Sequence, residues 1–129
     1  SLHDALPISE AMECDLSEML DVVALGMRSG MSFDRSLDLY TGYFRTQLAD
    51  AFRSAQRQWA CGLASRPEAL REVADSYASP LLARVIENIV RSLRFGATMA
   101  DNLEDAAREA RSGYKVRRQE AVAKAPVSR

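Results

Sequence analysis

Apolar residues recur at steps of three and four along most of this chain, the spacing of one face of an α-helix, and two stretches share a single pattern at a constant offset of 66 residues. In the first, Leu16, Met19, Leu20, Val23 and Met27 lead into Arg28, Gly30, Ser32, Phe33 and Leu37. In the second, Leu82, Val85, Ile86, Ile89 and Leu93 lead into Arg94, Gly96, Thr98, Met99 and Leu103. Each copy reads as a helical hairpin: glycine supplies a left-handed residue just past one helix end, and Ser32 or Thr98 caps the next helix two positions later. Gly30, Gly62 and Gly96 are thus expected to be turns.

The spacing predicts six helices and no strand. The first is expected to start near Asp15, where Asp15 and Glu18 form a capping-box pattern. Its five-residue stripe is worth about 10 kcal/mol gross at roughly 1.5 to 3 kcal/mol for each buried side chain, so it must meet another helix. The second carries Phe33, Leu37, Tyr40 and Phe44, with Gly42 a possible early end. A third runs from about Thr46 to Cys61, placing Leu48, Phe52, Ala55, Trp59 and Leu63 on one face. Ser65-Arg66-Pro67-Glu68 combines a hydroxyl cap, a first-turn proline and a capping-box glutamate to open a fourth, packing Ala69, Leu70, Val73, Ala74 and Tyr77. Ser79-Pro80 repeats the device and opens a fifth, expected to end at Gly96. The last starts at the Thr98-x-x-Asp101 cap and runs to about Ala125, before Pro126. Within it, Glu104 with Arg108 and Glu120 with Lys124 are spaced as i,i+4 pairs. The expected fold is all-α, an antiparallel bundle of about six helices built from repeated hairpins over residues 13–125. Residues 1–12 read as a disordered or extraneous segment, Ser1 to Ile8 resembling a translated sequencing-adapter read. Residues 126–129 read as the start of a connection to a transmembrane helix.

Composition narrows the function classes. A chain of 129 residues with 47% hydrophobic and 27% charged residues fits one ordinary globular domain. A formal net charge of −1 argues against a protein built chiefly to grip nucleic acid. Charge is instead segregated: Glu10, Glu13, Asp15, Glu18 and Asp21 make the start acidic, and Arg108, Arg111, Lys115, Arg117, Arg118, Lys124 and Arg129 make the end basic. The basic stretch Lys115, Arg117, Arg118, Lys124 has three readings: a solvated helix end, a segment just cytoplasmic to a following transmembrane helix, or a nucleic-acid contact. No run of about 18 apolar residues or secretory signal is present in the sequence.

Candidate chemistry is sparse. Cys14 and Cys61 are not in a CxxC pair and have no histidine cluster nearby, which reads as reduced, half-buried thiols in a reducing compartment. His3 is alone. No P-loop, GxGxxG, HExxH or GxSxG is found, and the carboxylates fall in capping or exposed positions, so no enzyme, metal or cofactor is expected. Arg28 and Arg94 hold equivalent places in the last turns of their helices. There they either offset the helix dipole or form a pair of partner contacts at the hairpin tips.

The segment Ser17-Glu-Met-Leu-Asp-Val-Val-Ala-Leu-Gly-Met-Arg-Ser-Gly-Met-Ser-Phe-Asp-Arg-Ser-Leu resembles the opening of the type II secretion system F domain, in the branch found in tight-adherence pilus platform proteins. Gly62, Ala69 and Leu70 resemble that family's central hairpin, and Arg111 to Val127 is similar to the segment that enters a transmembrane helix. One departure is Leu93, which stands where the family often has an acidic residue. The resemblance implies a helical domain on the cytoplasmic face of the bacterial inner membrane, coupling an assembly or secretion ATPase to pilin movement. It also implies homo- or hetero-oligomeric platform subunits, with membrane attachment through flanking helices. A free-standing helical adaptor is the alternative; an apolar run of about 20 residues downstream of Arg129 would favour the platform.

Overall fold

The computed structural model describes the backbone of residues 8–94 and 96–124 and the side chains of residues 12–94 and 98–113. Six helices follow one another: α1 (Ile8–Arg28), α2 (Phe33–Tyr43), α3 (Gln47–Ala60), α4 (Arg66–Asp75), α5 (Pro80–Ser92) and α6 (Gly96–Lys124). No strand occurs among the described residues. The fold is all-α, as the periodicity predicts.

Local chemistry explains most of the boundaries. The hydroxyls of Ser32, Thr46, Ser65 and Ser79 accept from the backbone N–H three residues on, opening α2, α3, α4 and α5. At Ser65 the capping box is complete, with Glu68 reaching back to the Ser65 N–H. Gly30 at φ +98° and Gly62 at φ +74° supply the left-handed residues that end α1 and α3. Gly42 lies inside α2, which ends instead at an extended Phe44.

Two boundaries and one apolar stripe differ from the sequence expectation. Helix α1 begins at Ile8, not near Asp15, and Met12 joins the core one turn before Leu16. Asp15 is therefore a buried mid-helix residue: continuation of the apolar face outweighs the local cap signal. Gly96 is the first residue of α6, not a left-handed turn, and Thr98 lies inside that helix. The second copy has Ala97 where the first has Met31, and threonine where the first has serine. A stronger helix former beside a weaker cap lets the helix start earlier. Leu63 falls beyond the Gly62 turn, so it leaves the α3 stripe and is 81% exposed. Trp59 is only partly buried against the core.

The repeat is visible in the packing. At the 66-residue offset, the pairs Leu16/Leu82, Met19/Val85, Leu20/Ile86 and Val23/Ile89 are all buried, as are Phe33/Met99 and Leu37/Leu103. The hairpin crossings match too. In the first hairpin Gly26 of α1 lies against Ser36 of α2; in the second the equivalent Ser92 Oγ accepts from Asn102 Nδ2 at 3.5 Å. Where the copies part is Tyr40 against Ala106. Tyr40 stacks on Phe44 with ring centroids 4.9 Å apart and meets Phe52 edge-on, tying α2 to α3. Ala106, Ala107 and Ala110 instead leave α6 a small-residue face, and α6 makes the most extensive packing in the molecule, against α1.

The Gly26 contact generates a stability prediction. A Cβ built at Gly26 would stand 2.5 Å from Ser36 Oγ and 2.9 Å from Ser36 Cβ. Gly26→Ala is therefore expected to destabilise by about 1 to 3 kcal/mol, the range for overpacking, although alanine is the better helix former. Adding Ser36→Gly should recover part of that loss in a denaturant titration. Equal losses in the single and double variants would show that the two residues do not oppose each other.

Candidate functional site

The turns joining α1 to α2, α3 to α4 and α5 to α6 lie at one end of the bundle. Antiparallel order follows from the ion pairs. Arg28 of α1 meets Asp101 and Glu104 of α6, whereas Asp21, two turns earlier, meets Arg111, two turns later, at 2.7 Å. Likewise Ser92 meets Asn102 while Arg84 meets Glu109 across α5 and α6. Arg66 at the start of α4 bonds Asp34 at the start of α2, at 3.1 and 3.2 Å. The three-turn end thus gathers residues far apart in sequence.

Arg28 is the most engaged side chain there. Its Nη2 donates to Asp101 Oδ1 at 2.6 Å and to Glu104 Oε2 at 2.7 Å, and its Nε donates to Glu104 Oε1. The two bonds to Glu104 form the bidentate guanidinium–carboxylate geometry that single-point cations cannot reproduce. These bonds, the Glu104 one foremost, raise the Arg28 pKa, and the bond from Arg28 holds Glu104 below its ordinary value. Arg28 therefore braces the C-terminus of α1 against the second and third turns of α6. Its equivalent, Arg94, lies beyond the end of α5 and is exposed in the turn. The equivalence in sequence does not extend to the environment: one arginine is pinned and the other faces solvent.

The local pairing of Glu104 with Arg108 gives way to that brace. Arg108 instead bonds Asp105 three residues back. Lys115, Arg117, Arg118 and Lys124 lie on the backbone of α6, but their side chains fall outside the described residues, as does the Glu120 to Lys124 pairing. His3 is outside them altogether.

Beside the turns lies a groove of about 430 Å³, lined by Met27, Met31, Phe33, Leu93 and Met99, with Gly30 and Ser32 on one lip and the Asp34–Arg66 pair on another. No spacing rule predicts it, because its walls come from α1, α2, α4 and α6 and two turns. The available signal was that methionine or leucine flanks both repeated turns.

Elsewhere the chemistry is structural. Cys14 is half-buried and Cys61 exposed, so the expectation of two half-buried thiols fails at Cys61, which sits on the exposed C-cap of α3. Burial foremost, then the nearby charges of Glu18 and Asp15, pushes the Cys14 pKa up. Tyr40 is pushed up by burial, its hydroxyl 3.3 Å from Thr46 Oγ1. No group of three or more potential metal-ligating residues occurs among the described residues, and no helix among them is long and apolar enough to cross a membrane.

In comparison with known proteins, residues 19–127 match the family described as type II secretion system (T2SS), protein F. Neither the curated proteins nor the solved structures yield a match. The matched span covers all of α2 to α6 and most of α1, and the chain belongs to this family. Its proteins are membrane platform components of type II secretion and type IV pilus machinery.

Two predictions follow from the geometry. Arg28→Glu sets a third carboxylate against Asp101 and Glu104, and its melting temperature is expected to fall below that of Arg28→Met, which only removes the brace. Because the folded-state pKa of Glu104 is depressed, its contribution is present above the ordinary value of 4.5 and disappears as pH falls through the depressed one. Arg28→Met should thus flatten the acid side of the stability–pH curve, and an unchanged curve would show that the brace is not formed. For the thiols, iodoacetamide at pH 8 should label Cys61 several times faster than Cys14 when peptides are followed by mass spectrometry. Equal rates would contradict the burial of Cys14.

Proposed function

We propose that this member of the type II secretion system (T2SS), protein F family is the cytoplasmic helical domain of an inner-membrane platform protein. In this reading it belongs to the tight-adherence pilus branch and couples an assembly ATPase to pilin movement. The observation that carries the reading is the family match over residues 19–127. The described bundle suits such a role in two ways. Its helices are tied pairwise by ion pairs that cross between elements, which favours motion as one body. It also gathers three of its turns, with Arg94 exposed among them, at one end.

The functional unit is the helical bundle, which opens with α1 at Ile8 and includes Met12 in its core instead of starting at residue 13 as expected from the sequence, with residues 126–129 leading towards the membrane and Lys115, Arg117, Arg118 and Lys124 as the juxtamembrane basic segment. The domain carries out no catalysis in this reading and needs no cofactor or metal. Its partners are the ATPase and other platform subunits, in a homo- or hetero-oligomer. Of the two arginines first singled out, Arg94 remains the partner-contact candidate, while Arg28 acts through the position of α6.

The test uses the full-length protein in its own membrane, because platform copies held together raise apparent affinity above that of an isolated fragment. Wild-type protein should co-purify with the pilus or secretion ATPase. Arg94→Glu should leave the amount of folded platform protein unchanged, since exposed charges near helix ends are worth about 0.3 to 1 kcal/mol, yet reduce piliation or secretion. Normal piliation in that variant would remove Arg94 from the mechanism. Absence of the ATPase from the wild-type preparation would overturn the coupling itself.

A further inference from the structure

The ion-pair rungs between α1 and α6 share one register. Arg28 with Glu104 and Asp21 with Arg111 lie seven positions apart on each helix, so every step back along α1 is matched by one step forward along α6. A step of seven is close to two helical turns and stays on one edge of each helix. Carried on by another seven positions, the register sets position 14 of α1 opposite position 118 of α6, and the first residue of α1, Ile8, opposite the last of α6, Lys124. The acidic stretch Glu10, Glu13, Asp15, Glu18 and the basic stretch Lys115, Arg117, Arg118, Lys124 thus occupy the same length of the seam.

Reach narrows the pairing. At the first rung Arg28 bonds Asp101 as well as Glu104, so an arginine on this edge meets carboxylates up to three positions off exact register. The same reach from Arg118 covers Ala11, Met12, Glu13 and Cys14, of which Glu13 alone carries charge. Arg117, one position short of Arg118, lies about 100° round the helix from that edge. Glu13 also needs a cation for its own sake. It is part-buried, with its Oε2 shut off from solvent and the side chain engaged, and an ionised carboxylate so placed is costly without a cation or hydrogen-bond donors beside it.

We propose that Glu13 and Arg118 form a third tie of the α1–α6 seam, a clasp in which the acidic start of α1, and not solvent, a lipid headgroup or nucleic acid, is the partner of this part of the basic stretch. The inference stands apart from the platform reading. It gives Arg118 an intramolecular task and leaves Lys115, Arg117 and Lys124 to the membrane surface which that reading assigns them. Its consequence is positional: the clasp holds the start of α1 beside the end of α6, so segments attached to either helix there leave the bundle together, opposite the three-turn end.

The test is a charge-reversal cycle in the whole chain, read by thermal melting. Glu13→Lys and Arg118→Glu are each expected to lower the melting temperature by about 2 to 6 °C, and the double reversal to melt above both single variants. Should a reversal prevent folding, Glu13→Gln and Arg118→Gln give a milder cycle, in which the loss in the double variant must fall short of the sum of the two single losses. Additive losses overturn the clasp. So does recovery of Arg118→Glu by Glu10→Lys or Glu18→Lys but not by Glu13→Lys, which would place the arginine on another carboxylate. Sedimentation with phosphatidylglycerol vesicles identifies the lipid alternative: additive melting together with weaker sedimentation of Arg118→Gln than of wild type would replace the clasp with a headgroup contact. None of these outcomes bears on co-purification of the ATPase, so the clasp and the platform reading stand or fall separately.

Discussion

Helix α1 carries Leu16, Met19, Leu20 and Val23 with no exposure at all, and one helix face reaches that state only with partners on more than one side. The partners are α2, reached through the turn at Gly30, and α6, which returns from the far end of the chain. At about 25 cal/mol for each Å² of apolar surface removed from water, such a stripe outweighs any cap or surface ion pair in the molecule. The long-range closure of α6 on α1 is therefore the condition on which the remaining helices are arranged. Helices α3 and α4 fill the other side of the core through Leu48, Phe52, Leu70 and Val73.

The closure is made possible by divergence between two copies of one hairpin. Both copies bury most of the same apolar positions, so both present the same kind of apolar face. Tyr40 gives the first a broad aromatic surface that engages α3, whereas Ala106 and its neighbours give the second a low one on which α1 can lie close. The brace from Arg28 to Glu104 and Asp101 then fixes the register of that close contact.

Much of this is readable in the chain because it is local. Ser65, Pro67 and Glu68 state a helix start within four residues, and Gly62 states the preceding stop, so α3 and α4 fall where spacing puts them. The repeat likewise declares both hairpins and nearly all of their buried residues. Asp15 misleads because the same local chemistry occurs inside a helix whose apolar face continues through Met12. Thr98 misleads because a cap signal competes with the helix propensity of its neighbours. Arg28 could not be read at all: its partners are 73 and 76 residues away, and nothing in the intervening sequence fixes their distance. The Gly26 and Ser36 contact left a trace, a small residue on the apolar stripe at the same place in both copies, but its meaning depends on how close two helices come.

The antiparallel seam between α1 and α6 is tied at two points two turns apart, by Arg28 with Asp101 and Glu104 and by Asp21 with Arg111. Helix α6 continues past the second tie to Lys124. A pull along its axis loads this seam in shear, so the apolar contacts and both ties bear force together instead of parting one after another as they would under a peeling load. The same two helices would separate easily if drawn sideways. Mechanical strength in this domain is thus directional, greatest along the line of its longest helix.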